Sequence, residues 1–179
     1  MSLTRELVAD PVQFAQWATD NYLAPVYQRA QGSSELAKSD VARWNISQSE
    51  LALYRCELPL MAAAGVTVTV AKNLWYEYYN SFLNALCGRL VHMLYGHYSE
   101  AFVKDARDNI ELYIAHLESK VEPGAAGLFI ERVFGANPSK AQLLHDEFWK
   151  PGMDALLQTL HESRQSLAEI LDAASKAGG

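Results

Sequence analysis

The sequence predicts an all-α, single-domain bundle of about seven or eight helices packed around a central apolar helix at 71–96. Three observations predict it. Apolar residues recur at helical spacing in almost every segment. Capping residues, prolines and glycines punctuate the chain as helix starts and stops. Only "AGVTVTVA" (64–71) alternates with the period of a strand, and no other segment offers it a pairing partner. The chain has 179 residues, half of them hydrophobic and 20% charged. That is the length of one domain, and about 70% of the unfolded surface of such a chain can be buried.

Asp10-Pro11 starts a helix, with Asp as the cap and Pro at the first helical position. Phe14, Trp17, Ala18 and Tyr22 continue it, and Pro25 is expected to kink or end it. "QGSSE" (31–35) is a loop, followed by a short helix from Leu36 to Trp44. "SQSE" (47–50) is a capping box. Leu51, Tyr54, Leu58 and Met61 give the helix it opens one apolar face, and Pro59 predicts a kink near Arg55 to Leu58. Residues 64–71 are expected to be an irregular, β-branched lead into the central helix.

The run from 71 to 96 is expected to be the central, largely buried helix. Between Leu58 and Ser99 there are three formal charges, Lys72, Glu77 and Arg89. The longest uncharged run there, Leu58 to Ala71, is shorter than the roughly 20 residues a bilayer span needs. A buried helix is therefore expected, and a membrane-entering hairpin is the lesser alternative. Ser99 or Glu100 starts an amphipathic helix with Val103, Ala106, Ile110, Tyr113, Leu117 and Val121 on its apolar face. "EPGAAG" (122–127) ends it, and "LFIERVF" (128–134) is a short helix closed by Gly135. Asn137-Pro138 caps a further helix to about Trp149. The last, from about Met153 to Ala174, carries heptad-like leucines that suit a homodimer seam.

The net charge of −6, with arginines scattered, argues against nucleic acid, which needs clustered cations. The start of the chain has no apolar signal core. Cys56 and Cys87 are not in a CxxC pair and are expected to be reduced in a cytoplasmic protein. No HExxH, ExxH pair, GxGxxG, Walker A or GxSxG motif is present. His116, His145 and His161 stand beside acids and are expected on the solvated surface. His92 and His97 point about 140° apart on a helix, so one metal cannot take both. No metal or cofactor is predicted; a haem would have to use His92 or His97 as its axial ligand.

One stripe stands out on the central helix. Glu77, Asn80, Ser81, Asn84, Gly88, His92, Tyr95 and Ser99 share a sector of about 120°, while the rest of the helix is apolar. Either this is the solvent side, or it lines an internal pocket built from Asn80, Ser81, Asn84, Gly88, His92 and Tyr95. Tyr76, Tyr78, Tyr79, Tyr95, Tyr98 and Trp75 crowd the same segment, as at pocket walls and interfaces. Glu77 and His92 lie about 22 Å apart along the helix and cannot form a catalytic dyad; Tyr95 is one turn from His92. No catalytic residues are assigned. The sequence points to a soluble binding or interaction protein with a protein partner, the alternative being a carrier or sensor of a small apolar or aromatic ligand such as haem or another organic molecule.

Overall fold

The computed structural model describes residues 5–28, 45–71, 75–118, 124–135 and 169. These are almost wholly helical, and no strand occurs among them. We number the helices α1 (Arg5–Ala9), α2 (Pro11–Ala18), α3 (Gln48–Ala71), α4 (Tyr76–Tyr95), α5 (Glu100–Glu118) and α6 (Gly124–Phe134), with a π-helical turn, Thr19–Leu23, extending α2. The helices expected at 36–44, 138–149 and 153–174, and the dimer seam on the last of these, lie outside the described residues.

The N-terminal caps follow the sequence closely. The Asp10 carboxylate accepts from the Val12 and Gln13 amides at 2.9 and 3.2 Å, and Pro11 opens the helix. Ser47 and Glu50 form the reciprocal box: Glu50 N–H donates to Ser47 Oγ at 3.2 Å, and Ser47 N–H donates to Glu50 Oε2 at 2.7 Å.

Pro25 does not end the first helix. The chain stays helical over 24–28, because the turn before it widens: the Ala24 amide bonds to Thr19 O, five residues back. A proline in α register clashes with the carbonyl four residues earlier, and a π turn moves that carbonyl away. Thr19 Oγ1 donates back to Ala15 O at 2.8 Å and Asn21 Nδ2 to Trp17 O at 2.8 Å, supporting the widened turn from its sides.

The central helix is α3 rather than 71–96. Every residue from Glu57 to Val70 is buried, and α3 packs against the π turn, α4, α5 and α6. A helix apolar all round belongs in the middle of a bundle. It also absorbs the segment expected to be irregular. Thr67 Oγ1 and Thr69 Oγ1 donate to Ala63 O and Gly65 O at 2.7 and 3.1 Å, so the buried hydroxyls are satisfied along their own helix. Packing on all sides outweighs the weak strand preference of Val and Thr. Pro59 sits inside this unbroken helix. The stretch Gln48–Val70 is long and apolar enough to cross a bilayer by length and composition, yet 67% of its apolar window is buried in the fold, as a core helix requires.

Helix α4 is a separate element that starts after Trp75. It buries Tyr78, Phe82, Leu83, Leu86, Cys87, Leu90 and Val91, and Phe82 meets Phe14 of α2 with ring centroids 5.2 Å apart. The Tyr78 hydroxyl donates to the Val8 carbonyl, tying α4 to α1. Gly96 ends α4 at φ 75°, its amide bonding His92 O at 2.8 Å. A side chain there would be strained, so the hand-over at 96–99 lies where the sequence put it. Helix α5 follows with Ala106, Ile110 and Tyr113 buried. Helix α6 begins at Gly124, one turn earlier than expected: the small residues of "GAAG" enter the helix, with Ala125 buried against the core.

Candidate functional site

The polar stripe of α4 is exposed rather than enclosed. Ser81, Asn84, His92 and Tyr95 are open to solvent, and Asn80 and Gly88 are half-buried. The expected internal pocket presumed that α4 is the central helix. With α3 in the centre, α4 is surrounded on its apolar arc alone.

One part of the stripe nevertheless borders a concavity. Asn84, Gly88 and His92, with Ala85, Arg89 and Met93, form one wall of an open groove of about 610 Å3. Val12, Thr19, Asp20 and Ala24 form the facing wall, and Tyr98 closes one end. Gly88 is what lets the wall recede. A Cβ placed there would meet only the Tyr98 ring, 3.7 Å away. Tyr98 itself is 63% exposed and Val12 51%, so the groove has an apolar lip in contact with water.

The other stripe residues lie elsewhere. Asn80 and Asn84 both accept from Arg107 of α5, at 2.9 and 2.6 Å, while Arg107 Nε holds Glu111 at 2.9 Å. This clamp joins α4 to α5 beside the groove. Ser81 borders neither. Tyr95 packs on Phe102 with centroids 4.8 Å apart, and burial, chiefly, pushes its hydroxyl above the usual phenol range. The His97 ring lies against Phe102, with Nδ1 3.0 Å from Tyr95 O, apart from His92. His116, expected on the surface, is half-buried with Nδ1 out of solvent; His145 and His161 lie outside the described residues. Of the tyrosine and tryptophan cluster, Trp75, Tyr76, Tyr95 and Tyr98 are exposed, Tyr78 is buried and Tyr79 half-buried.

A second constellation was missed by pattern reading. Glu57 of α3 is buried, at 5% exposure. Its Oε2 accepts from the Tyr113 hydroxyl at 2.7 Å and from Arg132 Nε at 2.8 Å, and its Oε1 from Arg132 Nη2 at 2.8 Å. Three helices thus meet on one carboxylate. The available signal was an acid and a base set within apolar runs, "CELPLM" and "LFIERVF", but nothing in the spacing links them. Burial pushes the Tyr113 hydroxyl well above the usual phenol range, and the adjacent Glu57 carboxylate adds to it. Three donors from two helices thus fix one buried carboxylate in place.

Both cysteines are free, Cys56 half-buried and Cys87 buried. Burial pushes the Cys87 thiol up to about 12, so it is inert at neutral pH. Among the described residues no three His, Cys, Asp or Glu side chains converge as a metal site. Comparison with family models, with curated proteins and with solved structures finds no match to this chain.

Proposed function

We propose that this chain is a non-catalytic helical interaction protein and that the groove between the α2–π segment and α4 receives a protein partner. The observation that carries this reading is the groove itself: a 610 Å3 concavity left open by Gly88 beside an exposed tyrosine. Grooves of this kind take one or two anchor side chains of a partner, and aromatic residues dominate such contacts. Glu57, the buried carboxylate among the described residues, is committed to Arg132 and Tyr113. The free thiols suit a reducing, cytoplasmic setting.

Photo-crosslinking in the native host tests the proposal. A benzophenone side chain is placed at position 84 or 92 on the groove, and at position 112 on the outer side of α5 as a control. A discrete crosslinked product from 84 and 92 but not from 112 is expected. Equal products from all three, or none from the groove, would overturn the reading.

A groove of this volume also falls within the range of small-ligand sites, roughly 300–1,000 Å3. The second reading is therefore a carrier or sensor of a small apolar or aromatic molecule. Native mass spectrometry of protein purified from its host distinguishes it by a non-covalent adduct that position 88 leucine abolishes. A haem adduct would also give a Soret band.

A further inference from the structure

The polar side chains lining the groove differ in what they already hold. Thr19 Oγ1 donates to Ala15 O at 2.8 Å. Asn84 Oδ1 accepts from Arg107 at 2.6 Å. Arg89, the one Lys or Arg among the described residues lining the groove, donates through Nη2 to Gln16 Oε1 at 2.9 Å. Among the described residues, Asp20 and His92 have no hydrogen-bond partner. A carboxylate can only accept hydrogen bonds, so Asp20 presents unused acceptors at a concavity whose other surfaces are mostly apolar. It is held there by the π turn that Pro25 requires, with Thr19 and Asn21 tied back to the preceding helical turn. Arg89 lines the same groove, yet it donates to Gln16 rather than to Asp20.

We propose that Asp20 is the specificity-determining residue of this groove and that it selects a basic segment of the partner protein. The ammonium or guanidinium head of the segment donates to Asp20, and its aliphatic stem lies against Met93. Three features favour this occupant over an acidic one. The carboxylate has no donor, whereas the guanidinium already has an acceptor. The exposed Tyr98 ring offers a cation a further favourable contact. The chain's net charge of −6 steers basic partners toward it and acidic ones away. The inference rests on the groove being the recognition surface.

Two short helical peptides of Leu with one Trp test it, one carrying Lys at its polar positions and the other Glu. Binding is followed by fluorescence anisotropy against the full chain. The Lys peptide is expected to bind and the Glu peptide not. Asp20→Asn should weaken the Lys peptide at least about tenfold, the loss expected if Asp20, exposed in the free chain, is desolvated beneath the bound peptide. Asp105→Asn, an exposed acid on α5, should leave binding within about twofold, the small effect of a rim charge. Circular dichroism of both variants checks that they fold. Equal binding of the two peptides, equal loss from the two variants, or no binding of the Lys peptide would overturn the assignment. The crosslinking experiment separates the two levels. A partner captured from position 92 whose affinity ignores Asp20→Asn leaves the groove as the docking site and removes the basic segment. Failure to capture anything from the groove removes both.

Discussion

Glu57 shows what a single buried side chain demands of its neighbours. Its carboxylate is stable at 5% exposure because a bidentate guanidinium and a phenol supply three donors. Breaking a buried pair by deleting one partner costs about 3–5 kcal/mol, and the figure falls toward the lower end when the other partner reaches solvent. The Arg132 side chain is 28% exposed. Glu57→Ala should therefore destabilise the fold by about 2–3 kcal/mol in urea denaturation. Replacing both charges with Met should recover most of that loss, because no group is then left unpaired. A single-mutant loss below about 1 kcal/mol would mean that water replaces the missing acceptor. Cys87 makes a contrasting case: it is buried with no comparable partner, and burial alone suppresses its thiolate. A thiol reagent at neutral pH should label Cys87 only when the chain unfolds, while half-buried Cys56 reacts earlier.

At the scale of the element, the ends of α2 and α3 are decided by a few polar atoms. Ser47→Ala removes the side-chain acceptor of the Glu50 amide and should cost about 1 kcal/mol. Asp10 acts in the same way on α2. The amides of Gln13 and Val12 hold its carboxyl below the usual carboxylate range. Its folded value is depressed, so its contribution is present above the unfolded value and is lost as pH falls through the folded one. Asp10→Ala should lower the thermal midpoint at neutral pH and have little effect in strong acid. Gly88 lies in the middle of α4, where glycine weakens a helix by about 0.5–1 kcal/mol relative to alanine. A Cβ there makes only an ordinary contact with Tyr98, so Gly88→Ala should raise stability by about that amount. Gly88→Leu should instead fill the groove and abolish partner capture without unfolding α4. Retention of binding in the leucine variant would place the docking surface elsewhere.

For the molecule as a whole, burial of phenols and thiols sets the alkaline limit. Tyr78, Cys87 and Tyr113 are all pushed upward, chiefly by burial. Each stays protonated in the folded chain at a pH where the unfolded chain has released its proton. Their contribution is full below the ordinary thiol and phenol values, beginning near 9 for the thiol. It declines as pH rises toward the folded value of about 12. The urea midpoint should hold steady around neutrality and fall progressively above about pH 9. A midpoint flat through that range would show that these groups ionise without unfolding.

Local chemistry accounts for what could be read along the chain. The all-α class, the caps at Asp10 and Ser47, the glycine stop at Gly96 and the start of α5 at Glu100 all depend on interactions within a turn or two. The inner face of α5 follows the same logic, since Ala106, Ile110 and Tyr113 recur at helical spacing. The polar stripe of α4 was visible as a stripe, and three of its proposed pocket residues, Asn84, Gly88 and His92, border the groove. Asn80, Ser81 and Tyr95 share their sector of the wheel but not their surroundings, which a helical wheel does not contain. The facing residues Val12, Asp20 and Tyr98 come from other segments, so no periodicity on α4 could have named them.

The sequence by itself determined the starts of α2, α3 and α5 and the stop of α4, because capping, proline and glycine effects act through neighbouring backbone atoms. Tertiary structure decided which helix is central. Residues 58–70 carry no charge on any side, and only enclosure by the π turn, α4, α5 and α6 makes that favourable, which turned a strand-like Val-Thr run into core helix. It also decided that Pro25 is carried through a π turn instead of ending the helix, and that Glu57, Arg132 and Tyr113 meet. Most of all it decided that the α4 stripe is exposed and that only Asn84, Gly88 and His92 of it border an open groove. Each of these depends on contacts between residues far apart in the chain, where the free energy of burial outweighs local preference.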